Sequence, residues 1–130
     1  MDIENFLKKF ITFSGWLEIA FGVLFCFMDF IFKVIDIPNS PFFSIGSGVM
    51  MMILGFLLWY SARDLKRYLI IPVMSCIFRF AMVLGPTLMS LFLIPLLMPI
   101  WIGAMTYDSF SALFTLALLK KTGYLTKQNL

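Results

Sequence analysis

YLIIPVMSCIFRFAMVLGPTLMSLFLIPLLMPIWIGAMTYDSFSALFTLALL, Tyr68 to Leu119, runs for 52 residues with two charged side chains, Arg79 and Asp108. A hydrocarbon core of about 30 Å takes about 20 helical residues to cross. The stretch therefore holds two crossings and a short turn, and the position of that turn sets the topology. A break at Gly85-Pro86 would leave an overlong last helix with two prolines inside it. A break within Ile94 to Ile100, IPLLMPI, gives two crossings of ordinary length and leaves Pro86 as a kink. The second division is expected, with an apolar turn lying shallow in the interface.

Working back toward the N-terminus, an apolar run over about 10–35 is interrupted by Glu18, Asp29 and Lys33. The connection IDIPNSP follows. Ser40-Pro41 reads as a helix start, because proline tolerates the first helical position and serine can cap it. The next apolar run ends in SARDLKRY, where Ser61 and Asp64 fit a capping pattern. Four spans are expected, at about 10–35, 41–60, 68–92 and 101–119, in one all-α integral membrane four-helix bundle. The composition agrees: of 130 residues, 62% are hydrophobic and 13% charged, where soluble domains are about half apolar and a quarter charged. A soluble fold of this length could not bury so much apolar surface.

Charge placement orients the spans. Lys8, Lys9, Arg63, Lys66, Arg67, Lys120, Lys121 and Lys127 fall on one side, and Lys33 alone on the other. By the positive-inside rule both termini are expected in the cytoplasm. Trp59, Tyr60 and Tyr68 mark that boundary and Trp101 the outer one. The acidic start MDIENFLKKF and the length of the run behind it predict a retained first helix, not a cleaved signal. The bases sit at the ends of apolar runs, which argues against nucleic acid as a partner; the expected environment is a lipid bilayer.

Several chemistries are excluded by residue type. There is no histidine, so His-ligated metal or haem and Ser-His or Cys-His catalysis are out of reach. Cys26 and Cys76 lie in different apolar runs and read as small buried hydrophobes. Met50-Met51-Met52 reads as packing, since adjacent helix positions do not face one another. No phosphate-binding, dinucleotide or nucleophile motif is present, and no cofactor, metal or catalytic residue is expected.

What stands out is charge at one depth. Arg79 is twelve residues from Arg67 and Asp108 twelve from Lys120, so each lies about 18 Å in at the helical rise; Glu18, nine residues after Lys9, is slightly shallower. An ionisable group at a helix centre costs roughly 2.5–3.5 kcal/mol on insertion scales, so pairing is expected. Asp108 is the best-matched partner for Arg79, in bidentate fashion, and Glu18 a second. Helical phase adds Ser14 beside Glu18, Ser75 beside Arg79 and Ser111 beside Asp108. These six residues form the expected polar cluster. Three readings stay open: a structural pin, a pocket for the head of a lipid-like or amphipathic molecule, and an ion or proton path. A further reading is an accessory or assembly subunit, docking a larger membrane complex or a second copy of itself.

Gly55 to Ile70, GFLLWYSARDLKRYLI, with Arg79 and then Tyr107 to Phe114, YDSFSALF, resembles small prokaryotic four-helix membrane proteins of the BphX-like families. The DoxX-like families are more distant relatives. The resemblance implies a multi-pass protein of a prokaryotic inner membrane, in families some of which are linked to quinone or thiol metabolism. It carries over no cofactor ligand.

Overall fold

Helix α1, Ile3–Cys26, begins before the expected start of the first span. Asp2 launches it: its carbonyl accepts the Phe6 N–H at 3.0 Å and its carboxylate the Glu4 N–H at 3.4 Å. Glu4 then sits in the first turn, where an acid suits the helix dipole. The computed structural model describes residues 2–38 and 40–125, and is 84% helix with no strand among them. Lys127, counted above among the orienting bases, lies outside the described residues.

The first apolar run is not one helix. At Phe27 the backbone tightens, with its N–H bonded to Leu24 O at 3.0 Å, and a second helix, α2, runs Met28–Val34. That i→i−3 bond shifts the helical phase between the two helices. Asp29 pairs with Lys33 within α2 at 2.7 Å. Helix α3, Pro41–Ser61, starts at the expected proline, but the Ser40 side chain makes no capping bond. Its backbone carbonyl does that work, receiving Phe43 N and Ser44 N. Ser61 likewise opens no new helix. It closes α3, donating from Oγ back to Leu58 O at 2.8 Å, because its last-turn position offers a carbonyl one turn earlier.

Helix α4, Ile70–Met82, passes through a π-turn at Val83–Thr87 into α5, Leu88–Leu93. Pro86 lies inside the π-turn, which accommodates a residue that has no N–H to give the ladder. The chain breaks at Ile94, makes one 3-10 turn over Pro95–Leu97, and enters α6, Met98–Lys121. Trp101 ties this turn down, its indole N–H donating to Ile94 O at 3.3 Å. Four stretches are thus long and apolar enough to cross a membrane: Ile3–Cys26, Pro41–Ser61, Ile70–Leu93 and Pro95–Lys121.

The distribution of side chains is that of a protein solvated by lipid. Buried positions include Ser14, Glu18, Ser44, Ser75, Arg79, Ser111 and Thr115, while Phe42, Leu84, Phe92 and Leu93 are each at least 74% exposed. In water such an arrangement would leave large apolar patches bare.

The chain divides into two units, Lys8–Asp64 and Leu65–Leu130 with Met1–Leu7. In the first, α1 and α3 pack antiparallel through paired glycines, Gly15 against Gly55 and Gly22 against Gly48. The seven-residue spacing on both helices brings each glycine round to the same face. Glu18 lies beside this seam, where a Cβ added at Gly55 would come within 2.9 Å of its own. At the end of α3 the Arg63 guanidinium stacks 4.3 Å from the centre of the Trp59 ring, which also meets Trp16 edge-on. Such a cluster suits a boundary between lipid and water. In the second unit, Phe6 meets Phe114 edge-on, and the Tyr124 hydroxyl donates to Glu4 Oε1 at 2.8 Å. The start of α1 and the end of α6 are therefore neighbours.

Two helix ends use left-handed residues. Gly123 (φ 80°) closes α6, with Tyr124 N–H reaching Leu119 O. Asp36 (φ 57°) occupies the equivalent position after α2, with Ile37 N–H reaching Phe32 O. Opposite substitutions should have opposite signs. Gly123→Ala meets no atom and should cost about 1 kcal/mol through backbone strain, while Asp36→Gly should gain a similar amount. Reversible unfolding in mixed micelles measures both.

Candidate functional site

Two helices of the second unit, α4 and α6, run antiparallel and present small or polar residues to each other. Cys76 Sγ donates to Ala112 O at 3.6 Å, which fixes the register. One turn further along α4, Arg79 then falls opposite Ser111 and Asp108. Its Nη1 donates to Ser111 Oγ and lies 3.5 Å from Asp108 Oδ1. The Tyr107 ring completes the surround, with its centroid 5.3 Å from the guanidinium carbon. At that distance the face of the ring is attractive to the cation.

The hydroxyls of α6 settle their own protons within the helix. Ser111 Oγ donates to Asp108 O at 3.2 Å while accepting from Arg79, and Thr115 Oγ1 donates to Ser111 O at 2.7 Å. Ser111 is thus held as an acceptor for the guanidinium. Such satisfied polar groups are what lets a cation sit in an apolar helix pair.

Arg79 and Asp108 differ in access. The Arg79 side chain is 5% exposed and that of Asp108 is 23% exposed. Their contact is a single, long approach and not the expected bidentate fork. An N···O separation of 3.5 Å is at the outer limit for a hydrogen bond. Among the described residues the Asp108 carboxylate accepts no hydrogen bond, and Arg79 is its one charged partner. A carboxylate can accept about four. The site therefore pairs an enclosed base with an acid that has capacity to spare.

Of the six residues expected to cluster, Arg79, Asp108 and Ser111 are brought together. Ser75 is buried one turn before Arg79 on the same face of α4. Ser14 and Glu18 belong to the other unit, where both are buried on one face of α1. Tyr107 and Cys76 were not anticipated as neighbours of the site. Cys76, three residues before Arg79, shares its face by helical spacing; Tyr107 is signalled only by adjacency to Asp108. Among the described residues no group of three or more acidic or cysteine side chains could hold a metal ion. No family model, curated protein or solved structure matches the chain.

Proposed function

We propose that this chain is a multi-pass protein of a prokaryotic inner membrane, with both termini cytoplasmic, that seats the polar head of a lipid-like molecule at Arg79, Asp108 and Ser111. One observation carries the reading. A buried guanidinium is fixed between two apolar helices while the carboxylate beside it stays accessible and lacks hydrogen bonds among the described residues. A pin whose only task is to join α4 and α6 would be expected to use the carboxylate fully, since each open lone pair in lipid is a lost stabilisation. The orientation is supported by the clustering of bases on one side, and by the Tyr124–Glu4 bond between the two ends of the chain. The prokaryotic membrane is supported by the resemblance to BphX-like families at Gly55–Ile70 and Tyr107–Phe114.

Native mass spectrometry of protein extracted in mild detergent tests the site. The wild type should retain a small amphipathic molecule at defined stoichiometry, and Ser111→Val, which removes the acceptor that holds Arg79, should retain severalfold less. Equal retention by both would place the bound molecule elsewhere.

A further inference from the structure

The proposed site can be taken one step further, to the chemistry of the head it accepts; this step rests on the binding reading above. An arginine in lipid suggests at first an anionic head. The geometry points elsewhere. Arg79 is enclosed: its side chain is 5% exposed, its Nη1 is directed at Ser111 and Asp108, and the Tyr107 ring lies against it. An incoming anion would have to open that enclosure and approach a carboxylate of its own sign. In a medium of low dielectric that repulsion is far stronger than in water.

The open valence belongs to Asp108. Its side chain is 23% exposed and, among the described residues, its carboxylate accepts no hydrogen bond, the contact with Arg79 being 3.5 Å long. An ionised carboxylate can only accept. The complementary head is therefore a hydrogen-bond donor.

We infer that the site selects amphiphiles whose head donates a hydrogen bond, a hydroxyl or a protonated amine, and that Asp108 and not Arg79 receives it. Hydroxyl and ammonium heads share this chemistry, and charge separates them. A hydroxyl leaves the Arg79–Asp108 pair balanced, whereas an ammonium adds a positive charge near the guanidinium.

The test uses three probes of equal chain length, dodecanol, dodecylamine and dodecanoate, with full-length protein in lipid nanodiscs and saturable binding read by native mass spectrometry. Dodecanol or dodecylamine should bind at least tenfold more tightly than dodecanoate. Asp108→Leu should remove most of that preference. Should this variant not reach the wild-type helical content by circular dichroism, Asp108→Asn serves in its place, since it swaps one acceptor oxygen for a donor and should weaken the donor-headed probes severalfold. Preferential binding of dodecanoate, or donor-headed binding that is unchanged in either folded Asp108 variant, overturns the donor-head inference and leaves the binding reading standing. No saturable binding of any probe overturns both.

Discussion

Gly48→Leu should separate α1 from α3 and cost the protein several kcal/mol, the largest effect expected of any single substitution in the first unit. A Cβ at position 48 would stand 2.5 Å from Gly22 O and 2.9 Å from Cys26 N. Both are backbone atoms, which cannot swing aside as a flexible side chain can. Overpacking a core that can partly adjust already costs about 1–3 kcal/mol, and here the whole helix pair must move. Even Gly48→Ala, Gly22→Ala and Gly55→Ala should each be clearly destabilising, because each Cβ meets a facing carbonyl at 2.5–2.6 Å. Gly46 and Gly103 provide the contrast, since a Cβ at either meets nothing within 4 Å. Alanine there should be neutral or stabilise by up to about 1 kcal/mol through helix propensity. Unfolding in mixed micelles, run on both sets, separates close approach from a general dislike of glycine replacement. Equal effects in the two sets would refute glycine-mediated contact.

Arg79→Leu and Asp108→Leu should each destabilise, and the double variant should recover part of the loss. Without Arg79, the carboxylate of Asp108 loses its one charged partner among the described residues. Breaking a buried pair in this way costs about 3–5 kcal/mol, and the lower end applies because Asp108 is partly accessible. Without Asp108, Arg79 keeps the Ser111 hydroxyl and the Tyr107 ring, but an enclosed guanidinium cannot shed its charge. The pair should couple by about 1–3 kcal/mol in a double-mutant cycle. Arg79→Lys tests geometry, since one nitrogen, Nη1, serves both Ser111 and Asp108; an ammonium there could keep those contacts but would lose the flat guanidinium face set against the Tyr107 ring. It should fall between arginine and leucine. Single-variant costs that simply add would show that the two groups do not act as a pair.

These two expectations differ in how far the sequence alone could reach. Length and apolarity of the run from Tyr68 to Leu119 sufficed to require two crossings, and the prolines at 95 and 99 located the turn between them. Counting residues from the flanking bases put Arg79 and Asp108 at one depth, and the structure has them 3.5 Å apart. Helix phase added Ser111. The fine geometry was not available to counting. Whether a pair is a fork or a single long contact depends on the register of α4 against α6, which Cys76 and Ala112 set. The break at Phe27 was equally hidden, because no proline or glycine marks it and Phe25, Cys26 and Met28 on either side are apolar. Ser61 was open to two readings, the start of the third helix or a short turn, for a related reason, and its carbonyl takes the Asp64 N–H in a turn. The same residue type can cap a following helix or close a preceding one, and the tertiary chain path decides which. The opposition of Gly15 to Gly55 and of Gly22 to Gly48 depends likewise on how α1 meets α3.

The central claim is that the Arg79–Asp108 pair binds a ligand and does more than pin two helices. It is tested most directly by extracting the wild type and the Arg79→Leu/Asp108→Leu double variant side by side, with native mass spectrometry for bound amphiphile and circular dichroism for fold. The account predicts that the double variant, with the charge pair replaced by apolar bulk, keeps the helical content of the wild type and loses the bound molecule. The contradicting result is a folded double variant that carries the same molecule at the same stoichiometry as the wild type, or a wild type that carries none.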